Sequence, residues 1–330
     1  MSALAWPRLA PAAAGLSDAA RRRYWRQTGI AYLYLAPALV LLTLFHFFPA
    51  IFGFYISLFR WGLIQERFVG LENYQRVLVD EAFWSSLGTT VWYVILVIPA
   101  EMAIGLVIAY LLFQPIRGRG AYRTAYFLPH ITSSTAAAVV WRWMYNQQNG
   151  LLNGVFEMIG LPRSLWLNES TGIFKLALGP AGAGLPEWIG GPSLALVSVA
   201  AMSVWSYIGF YVVIYLAGLG NISKELYEAA RIDGANERQV FFRITLPLLS
   251  PTTFFLIVVG VIGAMQAFNQ LYVMTRGGSG TRTVTMLVFR TFYEQTRVGY
   301  GSAMAFILAL FIVALTIVNF RYLGRRVHYD

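Results

Sequence analysis

The stretch that decides the fold is SKELYEAARIDGANERQVFFRITLPLLSP, residues 223–251, a polar interruption in an otherwise apolar second half. Ser223 predicts the start of a short helix, because its side-chain oxygen can accept a hydrogen bond from a free backbone amide. Gly234 predicts the end of that helix, since glycine adopts a positive φ at little steric cost. Asn236, with Gln239 three residues later, indicates the cap of a second helix. The stretch therefore predicts a helix–turn–helix that lies outside the lipid.

The composition is that of a membrane protein. Of the 330 residues, 58% are hydrophobic and only 12% are charged, which is outside the range of soluble domains. Six apolar runs are each long enough to cross about 30 Å of hydrocarbon as a helix. They cover about residues 29–59, 87–113, 124–145, 194–219, 252–273 and 301–320. The sequence thus predicts an all-α polytopic membrane protein with six transmembrane helices, in a domain of residues 29–326 preceded by a tail of residues 1–28.

The positive charges are distributed as expected for a cytoplasmic amino terminus. With both termini and the loop 220–251 in the cytoplasm, the inside segments carry fifteen Lys or Arg residues and six acids, a net charge of +9. The outside segments carry +2, and Glu101 in the second span completes the total of +10. Because cytoplasmic loops are enriched in Lys and Arg, this asymmetry supports the orientation. It also accounts for the basic composition without nucleic acid as a partner.

Several chemistries are excluded by residues that the sequence lacks. Without cysteine there is neither a disulfide nor a thiolate metal site. The two lysines, Lys175 and Lys224, stand outside any phosphate-binding loop motif, so we expect the chain to be no ATPase by itself. A membrane-embedded enzyme such as a glycosyltransferase would need an Asp-x-Asp type cluster, and the sequence has none. We therefore expect no enzymatic activity, no catalytic residue, and no metal or cofactor bound by this chain.

The helix–turn–helix also carries a motif with fixed spacing. Glu228-Ala229-Ala230 is followed after three residues by Gly234 and, nine residues later, by Ile244-x-Leu246-Pro247. This pattern between two apolar spans resembles the Glu-Ala-Ala loop of binding-protein-dependent ABC importer permeases, the alternative being an ordinary cytoplasmic hairpin packed on its own neighbours. The likeness extends over about residues 30–326 and to the carbohydrate branch, of the maltose or glycerol-phosphate first-permease type. The segments that carry it include VGLENY (69–74), RGRGAYRTAYFLP (117–129) and YVMTRGGSGTRT (272–283).

The resemblance implies the type I transmembrane-domain fold of ABC importers and a set of partners. These are a sister permease that completes a heterodimer, two ATPase subunits that hold ATP and Mg²⁺, and an extracytoplasmic solute-binding protein. The chain is then expected in the cell (inner) membrane of a bacterium or archaeon, in contact with lipid. In such permeases the first helix of the loop docks on the ATPase. The coupling residues implied here are Glu228, Ala229, Ala230, Asp233 and Gly234.

Two groups of residues in the spans are candidate ligands of a sugar. The fourth span presents Ser203, Ser206, Tyr207 and Phe210 at the i, i+3, i+4 and i+7 spacing of one helical face. The fifth span contributes Gly263, Gln266, Asn269 and Gln270. Amides and hydroxyls exchange hydrogen bonds with sugar hydroxyls, and rings stack on the apolar face of a sugar. The same residue types also suit helix–helix packing. The pattern alone favours neither interpretation, but the resemblance favours a sugar site, because the family's cavity is built from the spans flanking the Glu-Ala-Ala loop.

The resemblance implies a carbohydrate or related polyol as the substrate, and the sequence keeps one alternative open. Arg276, Arg282, Arg290 and Arg297 make the last outside loop basic, and arginine is well suited to phosphate recognition. Glycerol 3-phosphate or a glycerophosphodiester is therefore the alternative substrate.

Three further features receive structural interpretations. The outside insertion at about residues 167–191 is rich in Gly and Pro, with Trp166, Phe174 and Trp188 as candidate interface anchors. We interpret it as an amphipathic decoration on the membrane surface, and a contact for the solute-binding protein is the alternative. Glu101, an intramembrane acid, is a functional candidate by default. Because it follows Pro99, we interpret it as a group satisfied by a broken helix or a neighbouring chain. His46 and His130 are isolated, and we expect them to satisfy local backbone.

Overall fold

In a computed structural model, the structure describes residues 17–322 except 183, 185, 187 and 188, and only the backbone of residues 20 and 21. Apart from one short hairpin, the regular elements are helices. They are α1 (Asp18–Leu42), α2 (Phe48–Ser57), α3 (Glu72–Leu78), α4 (Glu81–Phe113), α5 (Arg119–Ile131), α6 (Ser134–Met144), α7 (Leu151–Met158), α8 (Ile173–Leu178), α9 (Leu194–Gly220), α10 (Lys224–Ile232), α11 (Glu237–Val240), α12 (Leu246–Leu248), α13 (Ser250–Met265), α14 (Asn269–Thr275), α15 (Val284–Phe289) and α16 (Val298–Tyr322).

The chain divides into two compact units, one up to Ile56 and one from Ser57 onwards. In the first unit, the π-helical segment Thr43–Phe47 joins α1 to α2. The predicted tail of residues 1–28 is described only from residue 17, and it is already helical from Asp18. The second unit begins with the antiparallel strands β1 (Phe59–Trp61) and β2 (Gln65–Phe68).

The helices confirm a polytopic membrane fold but are less continuous than the apolar runs suggest. Four helices of the described chain are long and apolar enough to cross a membrane unbroken: Arg22–Ser57, α4, α9 and α16. A fifth crossing is the pair Glu237–Leu248 and Ser250–Met265, which bends by 60°. These five match the first, second, fourth, sixth and fifth predicted spans.

The third predicted span, 124–145, is divided into α5 and α6 instead of forming one helix. The amide of Thr132 donates to the Pro129 carbonyl at 3.2 Å, one residue short of the regular α-helical pattern. The Leu128 carbonyl accepts instead from the Thr132 hydroxyl at 3.0 Å. Because the Thr132 hydroxyl replaces the missing backbone donor, the helix can end at Thr132 without leaving the Leu128 carbonyl unsatisfied.

The fifth predicted span, 252–273, is also interrupted. α13 ends at Met265, α14 begins at Asn269, and residues 266–268 between them are non-helical. Thr285 donates through its hydroxyl to the Ala267 carbonyl at 2.6 Å, and Thr283 reaches the same carbonyl at 3.3 Å. Backbone groups at membrane depth need such internal partners. The break is therefore a supported feature of the fold.

Helix α9 lies at the centre of the second unit, packed against α4, α5 and α13. Two glycines permit its close packing. A Cβ added at Gly105 of α4 would lie 2.7 Å from the Cβ of Tyr211, and one added at Gly209 would lie 2.4 Å from the Tyr126 carbonyl oxygen. Larger residues at these positions would force the helices apart. Farther along, α6 packs against α14, where Arg142 donates to the Val273 carbonyl at 3.3 Å.

The helix–turn–helix of residues 223–251 forms as predicted. The hydroxyl of Ser223 accepts from the Glu225 amide at 3.2 Å and caps α10. Gly234 takes a φ of 77° in the turn. Asn236 and Gln239 then accept each other's backbone amides at 2.9 and 2.8 Å, which is the reciprocal box expected at the start of α11.

The segment between α6 and α9, which contains the insertion predicted at about residues 167–191, is held together by buried contacts. Asn153, 1% exposed, donates to the carbonyls of Gln147 and Ser164 and accepts from the amide of Ser164 and the indole of Trp166. The Trp166 ring also packs 5.3 Å from that of Tyr145. Trp166 thus packs inside the protein instead of anchoring it at the interface, because its indole N–H finds a buried acceptor. Trp188 lies outside the described residues.

One carboxylate of the insertion is stabilised in its charged form. Glu169 accepts from the backbone amide of Thr171 at 2.8 Å. Hydrogen bonds from the side chain and backbone of Thr171 hold the pKa of Glu169 below its usual range. At the start of α9, Ser193 accepts from the Leu196 amide, and the Gly172–Ser193 bridge closes the insertion against it.

Candidate functional site

A cavity of about 390 Å³ lies where the break between α13 and α14 faces α4, α5 and α9. The side chains around it combine aromatic rings and small aliphatic groups with three amides and one carboxyl group. Its lining comprises Tyr93, Val97, Ile98, Glu101, His130, Tyr207, Phe210, Tyr211, Val259, Gly260, Gly263, Ala264, Gln266, Ala267, Phe268, Asn269 and Gln270. A cavity of this size and mixture is typical of a small-molecule site.

The fourth-span residues predicted as ligands divide into two pairs. Tyr207 and Phe210 line the cavity, whereas Ser203 and Ser206 do not. Ser203 is buried, accepts from the Tyr93 hydroxyl at 2.7 Å and donates to the Val199 carbonyl at 3.1 Å. Ser206 is buried too, and its hydroxyl has no partner among the described residues. The two rings, and not the two serine hydroxyls, are therefore presented to a solute.

The fifth-span residues meet at the helix break. Gly263, Gln266, Asn269 and Gln270 all line the cavity. Gln266 directly follows the end of α13, Asn269 is the first residue of α14, and both are exposed. The break turns these two amides toward the cavity side of the chain, where they can donate and accept hydrogen bonds.

Gln270 also takes part in a hydrogen-bond network in the wall of the cavity. Its amide nitrogen donates to the Tyr93 hydroxyl at 2.8 Å, and that hydroxyl donates in turn to Ser203. The three side chains belong to α14, α4 and α9, so one chain of hydrogen bonds joins three helices. We expect this chain to set the position of the cavity wall, because buried polar groups with satisfied partners rigidify their surroundings.

Four lining residues with polar side-chain atoms were not predicted as ligands: Tyr93, Glu101, His130 and Tyr211. Glu101 and His130, interpreted above as structural, both face the cavity. The His130 ring lies 5.7 Å from the ring of Tyr207 and 5.6 Å from that of Phe210. The sequence contains a usable signal for two of them, since Tyr93, Val97 and Glu101 are spaced by four residues and so share one face of α4.

The residues predicted to couple to an ATPase lie on α10 and in the turn that follows it. Glu228, Ala229, Asp233 and Gly234 are exposed. Ala230, in contrast, is only 8% exposed and packs within the chain, so it supports α10 instead of offering a free surface. Ile232, which was not predicted, is 86% exposed at the end of α10. An exposed apolar side chain beside exposed polar groups is consistent with a docking surface.

One contact joins α10 to the segment 241–245 that follows α11, and another joins that segment to α4. The Tyr227 hydroxyl and the Thr245 hydroxyl are 3.3 Å apart. The ring of Tyr110, near the end of α4, meets that of Phe241 edge-on with centroids 4.9 Å apart. Because α4 also lines the cavity, it physically links the coupling region to the cavity. No group of three His, Asp or Glu residues suited to a metal ion occurs in the part of the chain that the structure describes.

Comparison with known proteins finds one family over almost the whole chain. Residues 13–329 match the family described as binding-protein-dependent transport system inner membrane component. The chain is 33% identical over 306 residues to the sn-glycerol-3-phosphate transport system permease protein UgpA of Agrobacterium fabrum, covering 91% of this chain and 96% of that protein. It is 32% identical over 298 residues to the trehalose/maltose transport system permease protein MalF of Thermococcus litoralis, with 89% and 93% covered.

A solved structure has the same fold. The chain superimposes on a chain of a bacterial alginate ABC transporter, solved in complex with an alginate pentasaccharide-bound periplasmic protein, with a TM-score of 0.74. The superposition covers 90% of this chain and 94% of the other, at 20% sequence identity. At this identity the likeness concerns the fold alone.

Proposed function

The chain belongs to the family of binding-protein-dependent transport system inner membrane components, and on this basis we propose that it is the permease subunit of an ATP-driven importer for a carbohydrate or related polyol. Members of the family are transport components and not enzymes by themselves. The proposal assigns the cavity at the α13–α14 break to the solute. It assigns the exposed surface of α10 to the ATPase that supplies the energy.

The observation that carries the solute assignment is the composition of the cavity wall. Gln266 and Asn269 bring exposed amides to the helix break, and Tyr207 and Phe210 bring aromatic rings from α9. Sugar hydroxyls both donate and accept hydrogen bonds, as amides do, and the C–H face of a sugar ring packs well on an aromatic ring. A discontinuous membrane helix is also a common place for a transported solute, because its free backbone and side-chain groups face a polar cavity.

The proposal includes the partners that such a permease needs. A sister permease would complete the pore, two copies of an ATPase would bind ATP and Mg²⁺, and an extracytoplasmic solute-binding protein would deliver the solute. Both termini and α10 would then lie in the cytoplasm. The exposed Glu228, Ala229 and Ile232 suit α10 for the ATPase contact, and the alginate transporter, which shares the fold, was solved with its periplasmic protein.

Import of sn-glycerol 3-phosphate is the second candidate, since one relative at 33% identity carries that name. The cavity argues against it, because none of its described lining residues is Lys or Arg. Of the four loop arginines, Arg290 is paired with Glu294 at 3.2 Å. Phosphate recognition in proteins relies on cationic donors. The lining therefore supports an uncharged solute.

The test is uptake by the complete importer with Gln266→Ala and Asn269→Ala, normalised to the amount of assembled complex. Loss of an amide that pairs with a solute hydroxyl costs about 1–3 kcal/mol. We expect each variant to slow uptake by roughly tenfold or more, since 1.4 kcal/mol corresponds to a factor of ten.

Gln27→Ala is the control, because it removes the same amide from α1, outside the lining residues. Its normalised rate should equal that of the wild type. Normal rates for both Gln266→Ala and Asn269→Ala would remove these residues from the site, and loss of assembled complex alone would assign them to helix packing.

A further inference from the structure

We propose that Glu101 is a specificity-determining residue that binds a hydroxyl of the solute through Oε1 and selects for an uncharged polyhydroxylated solute over an anionic one. The inference rests on the proposed function, because it names the chemistry that the same cavity recognises. It assigns a role to the one carboxyl group among the described residues of the cavity wall.

The first observation is the position of the carboxyl group. Glu101 is 3% exposed, lines the cavity, and its Oε1 has no hydrogen-bond partner among the described residues. A buried polar atom without a partner costs free energy, and native proteins satisfy nearly all such atoms. A ligand that donates a hydrogen bond from within the cavity would satisfy this atom.

The second observation is the close packing around Tyr211, which lines the cavity together with Glu101. A Cβ added at Gly260 of α13 would come within 2.3 Å of the Tyr211 hydroxyl, and one added at Gly105 would crowd the Cβ of Tyr211. Two glycines on two helices thus leave the space that Tyr211 occupies. A cavity wall fixed by such packing recognises a ligand with less loss of side-chain entropy.

The third observation is that aromatic rings line the cavity near Glu101. Along α9 the rings of Tyr207 and Phe210 lie in the same lining as Glu101, and the ring of His130 packs against both. One wall therefore offers ring faces and another offers a hydrogen-bonding group. A pyranose or a polyol presents the complementary pair of surfaces, a C–H face and a rim of hydroxyls.

The fourth observation is the charge of the lining. Glu101 is its one carboxyl group, and no Lys or Arg is among the described residues that form it. A carboxylate accepts from hydroxyls and repels an anion, and a neutral carboxyl group donates one hydrogen bond and accepts others. Neither form replaces the cation that a phosphate or a second carboxylate would need. The lining therefore selects against anionic solutes in both protonation states of Glu101.

The test compares Glu101→Gln with Glu101→Leu in the complete importer reconstituted with its own binding protein. The probes are radiolabelled maltose, trehalose, glycerol and sn-glycerol 3-phosphate, with uptake normalised to assembled complex. Gln keeps an acceptor and a donor in nearly the same volume, whereas Leu keeps the volume alone. For the neutral probe that the wild type imports fastest, we expect Glu101→Leu to lower the rate by about tenfold or more and Glu101→Gln by no more than about threefold.

The outcomes separate the inference from the proposed function. ATP-dependent import of none of the neutral probes by the wild type would overturn the proposed function for these solutes. Import of a neutral probe with equal normalised rates for wild type and Glu101→Leu would overturn the role of Glu101 and indicate that Oε1 binds only water. Wild-type import of sn-glycerol 3-phosphate faster than every neutral probe would overturn the selection for uncharged solutes.

Discussion

At the residue scale, Tyr93 shows how a side chain hydrogen-bonded to two residues far away in sequence comes to organise the cavity. It is 1% exposed and bonded both to Ser203, 110 residues away, and to Gln270, 177 residues away. The sequence allowed Ser203 and Gln270 to be recognised as polar groups on two spans. It did not predict that they share one partner, because that depends on how α4 packs between α9 and α14.

Removing the hydroxyl tests this network. Tyr93→Phe leaves the amide of Gln270 without its buried acceptor and removes the hydrogen bond that Ser203 accepts, and an unsatisfied buried group costs about 1–3 kcal/mol. We expect a lower thermal unfolding midpoint of the purified permease complex by several degrees.

Tyr293→Phe is the matched control, because the Tyr293 side chain is 67% exposed. Its midpoint should stay within about one degree of the wild type, since exposed substitutions rarely change stability by more than about 0.5 kcal/mol. Equal midpoints for both variants would show that the Tyr93 hydroxyl adds no net stability.

At the scale of the elements, features determined by interactions within a few residues could be predicted from the sequence, and features determined by distant residues could not. The caps of α10 and α11 were predicted, since Ser223, Gly234, Asn236 and Gln239 act through hydrogen bonds and dihedral preferences within a few residues. The break at residues 266–268 was not, because it contains neither Gly nor Pro and its free carbonyl is satisfied from the later segment around Thr285. Because residues 266–268 lie within an apolar stretch, hydropathy averaged over a window shows no interruption there.

The turn after α10 is the element whose geometry we expect the ATPase to sense. Gly234 has a φ of 77°, and proline fixes φ near −65°. Gly234→Pro should therefore change the path of the chain between α10 and α11. We expect it to lower solute-stimulated ATPase activity of the reconstituted complex by at least about tenfold, in line with the cost of about 3 kcal/mol for a misplaced proline.

The control for Gly234→Pro is a substitution at a helical glycine that has free space around it. Gly120→Ala of α5 adds a side chain where nothing lies within 4 Å, and its stimulated activity should match the wild type. Normal stimulation with Gly234→Pro would show that the turn geometry is not needed for coupling. The same assay applied to Glu228→Ala would measure how much of the contact is carried by that exposed carboxylate.

At the scale of the whole molecule, hydropathy and charge predicted a polytopic membrane protein, and the helices and the family membership confirm it. Composition could not show which crossings would be continuous. An apolar run indicates that a segment lies in the membrane, but it does not indicate whether the helix there is unbroken. The aromatic residues of the insertion show the same limit. Trp166 is of a residue type typical of interface anchors, yet its indole N–H donates a hydrogen bond to the buried Asn153.

The proposed topology predicts where introduced thiols become accessible. Ser170→Cys and Gly184→Cys, both at exposed positions of the insertion, should react with a membrane-impermeant maleimide in intact cells whose outer envelope, if present, has been opened. Gly120→Cys should react only after lysis, because α5 begins on the proposed cytoplasmic side. The chain has no cysteine of its own to add background. Labelling of Ser170→Cys only after lysis would invert the orientation of the third and fourth crossings.

The two interrupted crossings have a mechanical consequence. α6 and α14 are the outer halves of the third and fifth crossings under the proposed topology, they pack against each other, and Arg142 ties them together. Each is joined to its inner half by a short non-helical link, at residues 132–133 and 266–268. Rotation at these links would change the tilt of the pair as one body while leaving the hydrogen-bond ladders within all four helical pieces intact. Under the proposed topology, bending at these two links would therefore open the outer end of the pathway without displacing two whole membrane helices.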